Sequence, residues 1–376
     1  MTNLLPAVLL AATPHNGKSV LAHLLSRELR NRRIPHILLR TAPDGEGDWF
    51  YESQDIIRLR LRRKGTFNDR LVTAMRRAIQ NRRLPMLVDI GGRPQGSQFN
   101  ILSDCTHVIH LFRDERDRAV SGAWLEPLNL IPIAELRSQL TGADLILEDN
   151  GLLRGVITGL DRTNPHRGHV FARLVERVAG IFTYSDDELL ALHRQEAPSE
   201  AELLTDTQLA TWMNAFTADG GIRFEPTHLA SLPTWLSQGQ SVALYGRLPL
   251  WLVAAIAVLT MPAPLYWFDA RHYGWMKVPT PRWQSAGSPR EFTLTPQAEG
   301  EAIRLVFALK PGIAVLAQRR SLGVPRLSAT AGILLDGPMP AWLAAALARA
   351  YHRHPWLAVR EPRLGERGDI RFWPLC

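Results

Sequence analysis

Cysteine is nearly absent. Cys105 and Cys376 are the only two in 376 residues, and they lie 271 positions apart. They offer neither a metal-ligand spacing nor a disulfide framework, so a reducing cytoplasm is the expected setting. A secretory leader is missing as well: Met1 to Leu10 is short, has no basic start and runs straight into a glycine-lysine motif. Only one stretch imitates a membrane span. Leu248 to Phe268 is 21 residues without a charge, long enough to cross a bilayer. Pro249, Pro262 and Pro264 divide it into a buried helix of about a dozen residues, a turn at Met261-Pro262-Ala263-Pro264 and a strand. No membrane partner is expected.

Acidic residues are the minority charge, 36 against 44 Lys and Arg, for a net charge of +8. Much of the excess is arginine and lies early, as in Arg27, Arg30, Arg32, Arg33 and the run Arg58, Arg60, Arg62, Arg63, Lys64. Such clusters suit polyanions, and they equally suit solvated helix faces. No sequence-specific nucleic-acid contact is expected. The length exceeds one ordinary core, so two or three domains are expected.

One stretch occurs twice. Gly246-Arg247-Leu248-Pro249-Leu250-Trp251-Leu252-Val253-Ala254-Ala255 returns 91 residues later as Gly337-Pro338-Met339-Pro340-Ala341-Trp342-Leu343-Ala344-Ala345-Ala346. Each copy follows an apolar run and opens an Ala/Leu-rich segment, which reads as strand, tight turn and helix, with Pro in the first helical turn. Trp251 and Trp342 are most simply core residues of a duplicated unit.

At the amino terminus, the strand-like Pro6 to Ala11 meets Ala12-Thr13-Pro14-His15-Asn16-Gly17-Lys18-Ser19, and Val20 to Arg30 has helical periodicity. Strand, [A/G]-x-x-x-x-G-K-S and helix together are the context of a phosphate-binding loop. Asn16 and Gly17 then belong to the cradle, Lys18 reaches the terminal phosphates of ATP, and the hydroxyl of Ser19 is a magnesium ligand. Leu84 to Gly92 is an apolar strand ending in Asp89 and two glycines, the form that positions the magnesium shell. Asp44 to Trp49 is an acidic loop suited to substrate hydroxyls or to plain solvation. Arg113 to Arg118 opens a mixed-charge helix, read as a salt-bridged surface before an arginine finger.

Alternating strands and helices with the phosphate loop first imply a doubly wound, largely parallel sheet. The expected organisation is a P-loop NTPase domain over 1–165, a helical bridge over 166–219, and two repeats over 220–280 and 297–376. Ser185-Asp186-Asp187-Glu188 reads as a capping box within the bridge, and Pro279 to Pro296 as a connector. Ile303 to Leu309 and Ile313 to Gln318 supply strands before the second copy.

Past its helix, the second copy continues Ala350-Tyr351-His352-Arg353-His354-Pro355-Trp356-Leu357-Ala358-Val359-Arg360-Glu361-Pro362-Arg363-Leu364-Gly365. This resembles the small CRISPR-associated ring-nuclease family of type III systems, whose members carry G-R-G-P-x-W-L, then Y-H-H-x-P, then V-A-V-Y-D-P-R-L-G. Some members are fused to a P-loop domain of AAA type. The resemblance implies ferredoxin-like α+β repeats, dimers that sandwich cyclic tetra-adenylate in pairs, and manganese-dependent cleavage of that ring. It places the turn arginine on Arg247 and on Pro338, and the histidine after the helix on Met261 and His352. The acid and arginine of D-P-R fall on Asp269 and Arg271 in the first copy and on Glu361 and Arg363 in the second. A later histidine of the family has no clear counterpart.

The losses are partly complementary, as in a homodimer folded into one chain. On this reading His352, Glu361 and Asp269 are the catalytic candidates, His352 with Glu361 binding metal or acting as base. Arg247, Arg271 and Arg363 fork onto phosphates. Without the resemblance, His352 and His354 are ordinary helix-end histidines. The expected protein is a CRISPR type III accessory ATPase that binds, and in one version cleaves, cyclic oligoadenylate as a homo-oligomer. The rivals are a non-cleaving sensor, a P-loop kinase acting on a small molecule, and a nucleic-acid-binding ATPase.

Overall fold

The computed structural model describes residues 5–40, 69–89, 94, 96–161, 167–270, 274–284, 292–309, 321–361 and 368–375. The acidic loop Asp44 to Trp49, the Gly91-Gly92 pair, Arg271, the strand expected at Ile313 to Gln318, and Arg363 lie outside the described residues. The chain is mixed α/β and divides into two compact units, Met1–Ala191 and Leu192–Cys376.

The first unit runs β1 (Ala7–Ala11), α1 (Lys18–Asn31), β2 (Ile37–Arg40), α2 (Asp69–Gln80), β3 (Met86–Asp89), α3 (Phe99–Leu102), β4 (His107–Phe112), α4 (Glu115–Leu125), β5 (Ile131–Gln139), β6 (Leu145–Asn150), β7 (Leu152–Thr158) and α5 (His169–Phe182), with α6 (Asp186–Arg194) following. Its seven strands lie in the order β2-β3-β1-β4-β5-β7-β6. All neighbours are parallel except β6 and β7, which form the hairpin expected around Asn150-Gly151.

Strand β1 is apolar throughout because both of its faces are covered, as in the middle of a parallel sheet. Val8 and Leu10 join one core with Leu21, Leu24, Leu25 and Leu29 of α1 and the apolar stripe of α5. Ala7, Leu9 and Ala11 face a second core with Val72 and Ile79 of α2 and Trp124 of α4. The Ser185/Glu188 capping box forms as expected.

The second unit runs β8 (Glu202–Thr205), α7 (Asp206–Met213), α8 (Leu232–Trp235), β9 (Val242–Tyr245), α9 (Leu250–Leu259), β10 (Leu265–Asp269), β11 (Gly274–Lys277), β12 (Thr280–Gln284), β13 (Phe292–Glu299), β14 (Ala302–Leu309), β15 (Ser321–Pro325), β16 (Gly332–Asp336), α10 (Ala341–Tyr351), β17 (Leu357–Arg360) and β18 (Asp369–Trp373). One sheet is β11-β10-β9-β8 and another is β13-β14-β16-β17-β18; β12 and β15 pair separately. A four-strand pairing pattern occurs twice, and the second sheet adds β13 antiparallel to β14 at its other edge. Strands β8, β9 and β10 are parallel with β11 antiparallel at the edge, and β14, β16 and β17 are parallel with β18 antiparallel at the edge.

Local geometry repeats as well. Gly246 and Gly337 take φ of 108° and 105°, a region that only glycine enters freely. Pro249 and Pro340 both stand at the helix N-cap in extended conformation, one position ahead of the expected first turn. Trp251 and Trp342 are buried in one core to which both copies contribute. Arg349, in the last turn of α10, donates to Ala257 O at 2.8 Å and to Thr260 Oγ1 at 3.2 Å at the end of α9. Helices α9 and α10 pack extensively and end together, so they run the same way and the carboxyl edges of both sheets share a side.

Three expectations need correction. A ferredoxin-like repeat is a split βαβ arrangement, whereas each copy here has three parallel strands in chain order, with β11 antiparallel at one edge of the first sheet and β13 and β18 antiparallel at the two edges of the second. Nor is 166–219 a separate bridge: α5 packs in the first unit's core, and β8 pairs with β9 in the second. The connector Pro279 to Pro296 holds β12 and the start of β13. The membrane-like stretch is the ten-residue α9 followed by β10. Among the described residues no helix is long and apolar enough to cross a membrane.

Candidate functional site

The carboxyl end of β1 delivers Ala12 to Gly17 at the centre of the sheet, between β3 and β4, and α1 begins at Lys18. Gly17 stands at φ 74°, and a Cβ there would lie 2.6 Å from Leu160 Cβ. The position thus excludes any side chain, both by conformation and by space. Helix α1 has no side-chain cap and no acid in its first turn, so no side chain of its own first turn neutralises its positive end. Lys18 is buried at 7 % exposure, and Asp89, at the carboxyl end of β3, lies beside Leu10 in the neighbouring strand. Ser19, the expected magnesium ligand, is the second residue of α1.

A residue that sequence reasoning missed organises this loop. Asp117, in the first turn of α4, is 7 % exposed. Its Oδ1 accepts the Thr13 hydroxyl, and its Oδ2 accepts Asn16 Nδ2 at 2.7 Å and the Arg113 N–H at 3.1 Å. Asn16 Nδ2 also donates to Thr13 Oγ1 at 2.9 Å. The Asp117 amide is itself held by the N-cap Asp114, at 2.8 Å. Burial raises the Asp117 carboxyl, but the hydrogen bonds from Thr13, Asn16 and Arg113 and the charge of Arg113 outweigh it and hold the group below the usual carboxylate range. The Arg113 to Arg118 segment was expected to be a charged surface, and Glu115 and Arg118 are. The available signal was Asp-x-x-Asp at a helix start, with the second Asp turned inward.

From Asp117 the contacts continue into the sheet. Ser121 Oγ donates to Asp117 O at 2.7 Å, and His110 Nε2 meets Ser121 Oγ at 2.6 Å. Since the hydroxyl proton goes to the carbonyl, the imidazole must be the donor at Nε2. His110 also lines a groove of about 500 Å³ with Glu115, Arg118, Glu126 and Glu135. Burial pushes the imidazoles of His36, His107 and His110 below the ordinary histidine value. Such groups take up protons more readily unfolded than folded, so their contribution to stability is present above about pH 6.5 and is lost as pH falls through their lower folded values. The melting temperature is therefore expected to fall between pH 7 and pH 5.5, with a smaller fall in His110→Gln; a flat profile in the wild type contradicts this assignment.

In the second unit, two expected residues meet at the carboxyl edge of the first copy. Arg247 is exposed just past β9, and Asp269 ends the adjacent β10. The Arg247 N–H donates to Asp206 Oδ2 at 2.7 Å, and a Cβ on Gly246 would strike that carboxylate. The backbone of the turn is therefore already engaged, and the guanidinium is the group Arg247 presents. In the second copy Pro338 replaces that arginine. Asp336 closes β16 and accepts Arg304 Nε at 2.6 Å, and Arg360 pairs with Asp369 at 2.8 Å and Glu299 at 2.6 Å. Glu361 follows Arg360 at this edge, its N–H donating to Gly368 O at 2.8 Å.

His352 is not with them. It caps the far end of α10, where its Nδ1 meets Arg349 O at 2.9 Å and its carbonyl accepts Trp373 Nε1 at 3.0 Å. Trp373 pairs with Leu357 at the start of β17, while Glu361 follows its end. The four residues of β17 put roughly 13 Å of strand between them. The pairing of His352 with Glu361 as metal ligands or as base and partner does not exist within one chain. Among the described residues no three His, Cys, Asp or Glu side chains lie together as a metal site.

Residues 310–368 match the family model of a CRISPR-associated protein (Cas_csx3). The match to Cas_csx3 spans β16, α10 and β17, and with them His352, Glu361 and Arg363, and it leaves out the first copy and the whole first unit.

Proposed function

We propose that the tandem unit binds a cyclic oligoadenylate, cyclic tetra-adenylate by the resemblance, at the shared carboxyl edge of its two parallel sheets, and that the first unit binds ATP with magnesium at the Thr13 to Ser19 loop. The observation that carries the first half is the placement of Arg247, Asp269 and Glu361 beyond strand carboxyl ends, where open α/β sheets hold their ligands. The exposed Arg247 offers a fork to phosphate. In the sequence, Arg271 and Arg363 follow Asp269 and Glu361 by two residues.

Because His352 lies at the opposite end of the sheet, cleavage by this set needs two chains stacked end to end, the histidine of one over the carboxyl edge of the next. That is a heterologous contact, and it agrees with the sandwich that the resemblance implies. In such a stack the 2′-OH of the ring loses its proton to His352 of one chain and attacks the adjacent phosphorus, while the arginines of the other chain neutralise the phosphorane. The P–O5′ bond then breaks with a proton returned to the 5′-oxygen, leaving a 2′,3′-cyclic phosphate and a 5′-OH. Titrating the full chain with cyclic tetra-adenylate tests the binding half. Arg247→Glu is expected to weaken binding by at least about tenfold, and His352→Ala by less than about threefold. Equal losses in the two variants contradict the assignment of the ligand to the carboxyl edge.

For the first unit, ATP hydrolysis is the leading reading, with Lys18 on the terminal phosphates and Ser19 and Asp89 toward magnesium. A second reading, phosphoryl transfer to a small molecule, is favoured by one feature. Asp89 is followed by Ile90, Gly91 and Gly92, none of which can orient an attacking water. Release of free phosphate from γ-labelled ATP by the purified chain alone decides for hydrolysis.

A further inference from the structure

Asn16 is 2 % exposed, and its Oδ1 is buried with no hydrogen-bond partner. Both hydrogens of its amide are used, on Thr13 Oγ1 and on Asp117 Oδ2. The orientation is therefore forced: turning the amide over would set its oxygen 2.7 Å from a carboxylate oxygen. A buried acceptor left open costs about as much as a lost hydrogen bond, and the rest of the loop presents donors, namely Lys18 and the uncapped amides of α1. Phosphate oxygens are acceptors and cannot satisfy Asn16 Oδ1. A water held by the cation that accompanies the nucleotide can, since its hydrogens point away from the metal.

We propose that Asp117 is a positioning residue of the phosphate loop, which orients the Asn16 amide so that its oxygen accepts from the hydration shell of nucleotide-bound magnesium. The donor set fits a hard cation that keeps several waters and takes few protein ligands. The inference rests on reading Thr13 to Ser19 as the nucleotide loop, and it predicts a metal-dependent effect that a merely structural aspartate would not have. An asparagine at 117 loses the carboxylate that forces the orientation, and the Asn16 amide turns its NH2 toward the metal. In the double variant Asn16→Asp, Asp117→Asn, position 16 has an oxygen on both sides, and an acceptor faces the metal again.

The test titrates the full chain with a fluorescent N-methylanthraniloyl ATP, once with millimolar magnesium and once with EDTA, and follows melting temperature in parallel. Asp117→Asn is expected to weaken binding about tenfold in magnesium and less than about twofold in EDTA, and the double variant to return within about threefold of wild type in magnesium. An equal loss in both buffers makes Asp117 a loop-folding residue and overturns the inference, as does an Asp117→Asn titration identical to wild type in magnesium. If the wild type binds in neither buffer, the nucleotide reading of the loop falls, and the inference with it.

Discussion

Replacing Lys18 with alanine is expected to remove ATP turnover by the full chain, by at least about a hundredfold, and to leave its affinity for cyclic tetra-adenylate within about twofold. The size of the loss follows from the site. Lys18 is buried at the start of α1, and a cation in such surroundings acts on phosphate charge with little screening by water. One preorganised group of this kind contributes about 3–4 kcal/mol to a transition state. The ligand affinity is spared because Arg247, Asp269 and Glu361 belong to a compact unit of their own. Steady-state phosphate release and equilibrium titration on the same preparation read both quantities. Loss of ligand affinity in step with turnover would show that the two sites do not act separately.

Trp251→Ala and Trp342→Ala are expected to be equally damaging, each by about 3–5 kcal/mol. Although they sit in different copies, both side chains are buried in one core, where α9 is apolar on every side. A helix of that kind has no solvent face to fall back on, so a cavity at either tryptophan loosens both copies. The expected result is that either variant melts the second unit as a whole and at a similar temperature, while nucleotide binding by the first unit survives. Calorimetry of the two variants checks this. A variant that lost one copy and kept the other folded would refute the single shared core.

The parts legible in the sequence were those written locally. The loop Ala12 to Gly17 sits between its strand and helix as expected, and the duplication is visible in Gly246 to Ala255 and Gly337 to Ala346. The structure repeats it down to the φ of the two glycines. What could not be read depends on pairing between distant residues. The parallel order β8-β9-β10 is set by contacts across β-strands tens of residues apart, and the ferredoxin-like expectation came from the resemblance, not from any pattern in the chain. Strand β5 went unnoticed because Glu135 and Arg137 interrupt its apolar run. Asp117 is 101 residues from Asn16, and in a helix of alternating charges only the Asp114-x-x-Asp117 spacing at its start pointed to it.

Closeness in sequence misled as well. His352 and Glu361 are nine positions apart, but the chain turns at the end of α10 and then climbs the whole of β17 between them. They became opposite ends of one unit. That geometry turns a composite site within a chain into a proposed site between chains.

The most direct measurement mixes two defective proteins. One is His352→Ala, intact at its carboxyl edge; the other is Asp269→Ala with Glu361→Ala, intact at its histidine end. Each is incubated alone and then together with cyclic tetra-adenylate, and products are identified by mass spectrometry. If the ring is held at the carboxyl edge of one chain and attacked by the histidine of the next, each protein alone is inactive and the mixture recovers a substantial fraction of wild-type cleavage. A mixture no more active than its components, beside a wild type that cleaves, would contradict the stacked arrangement.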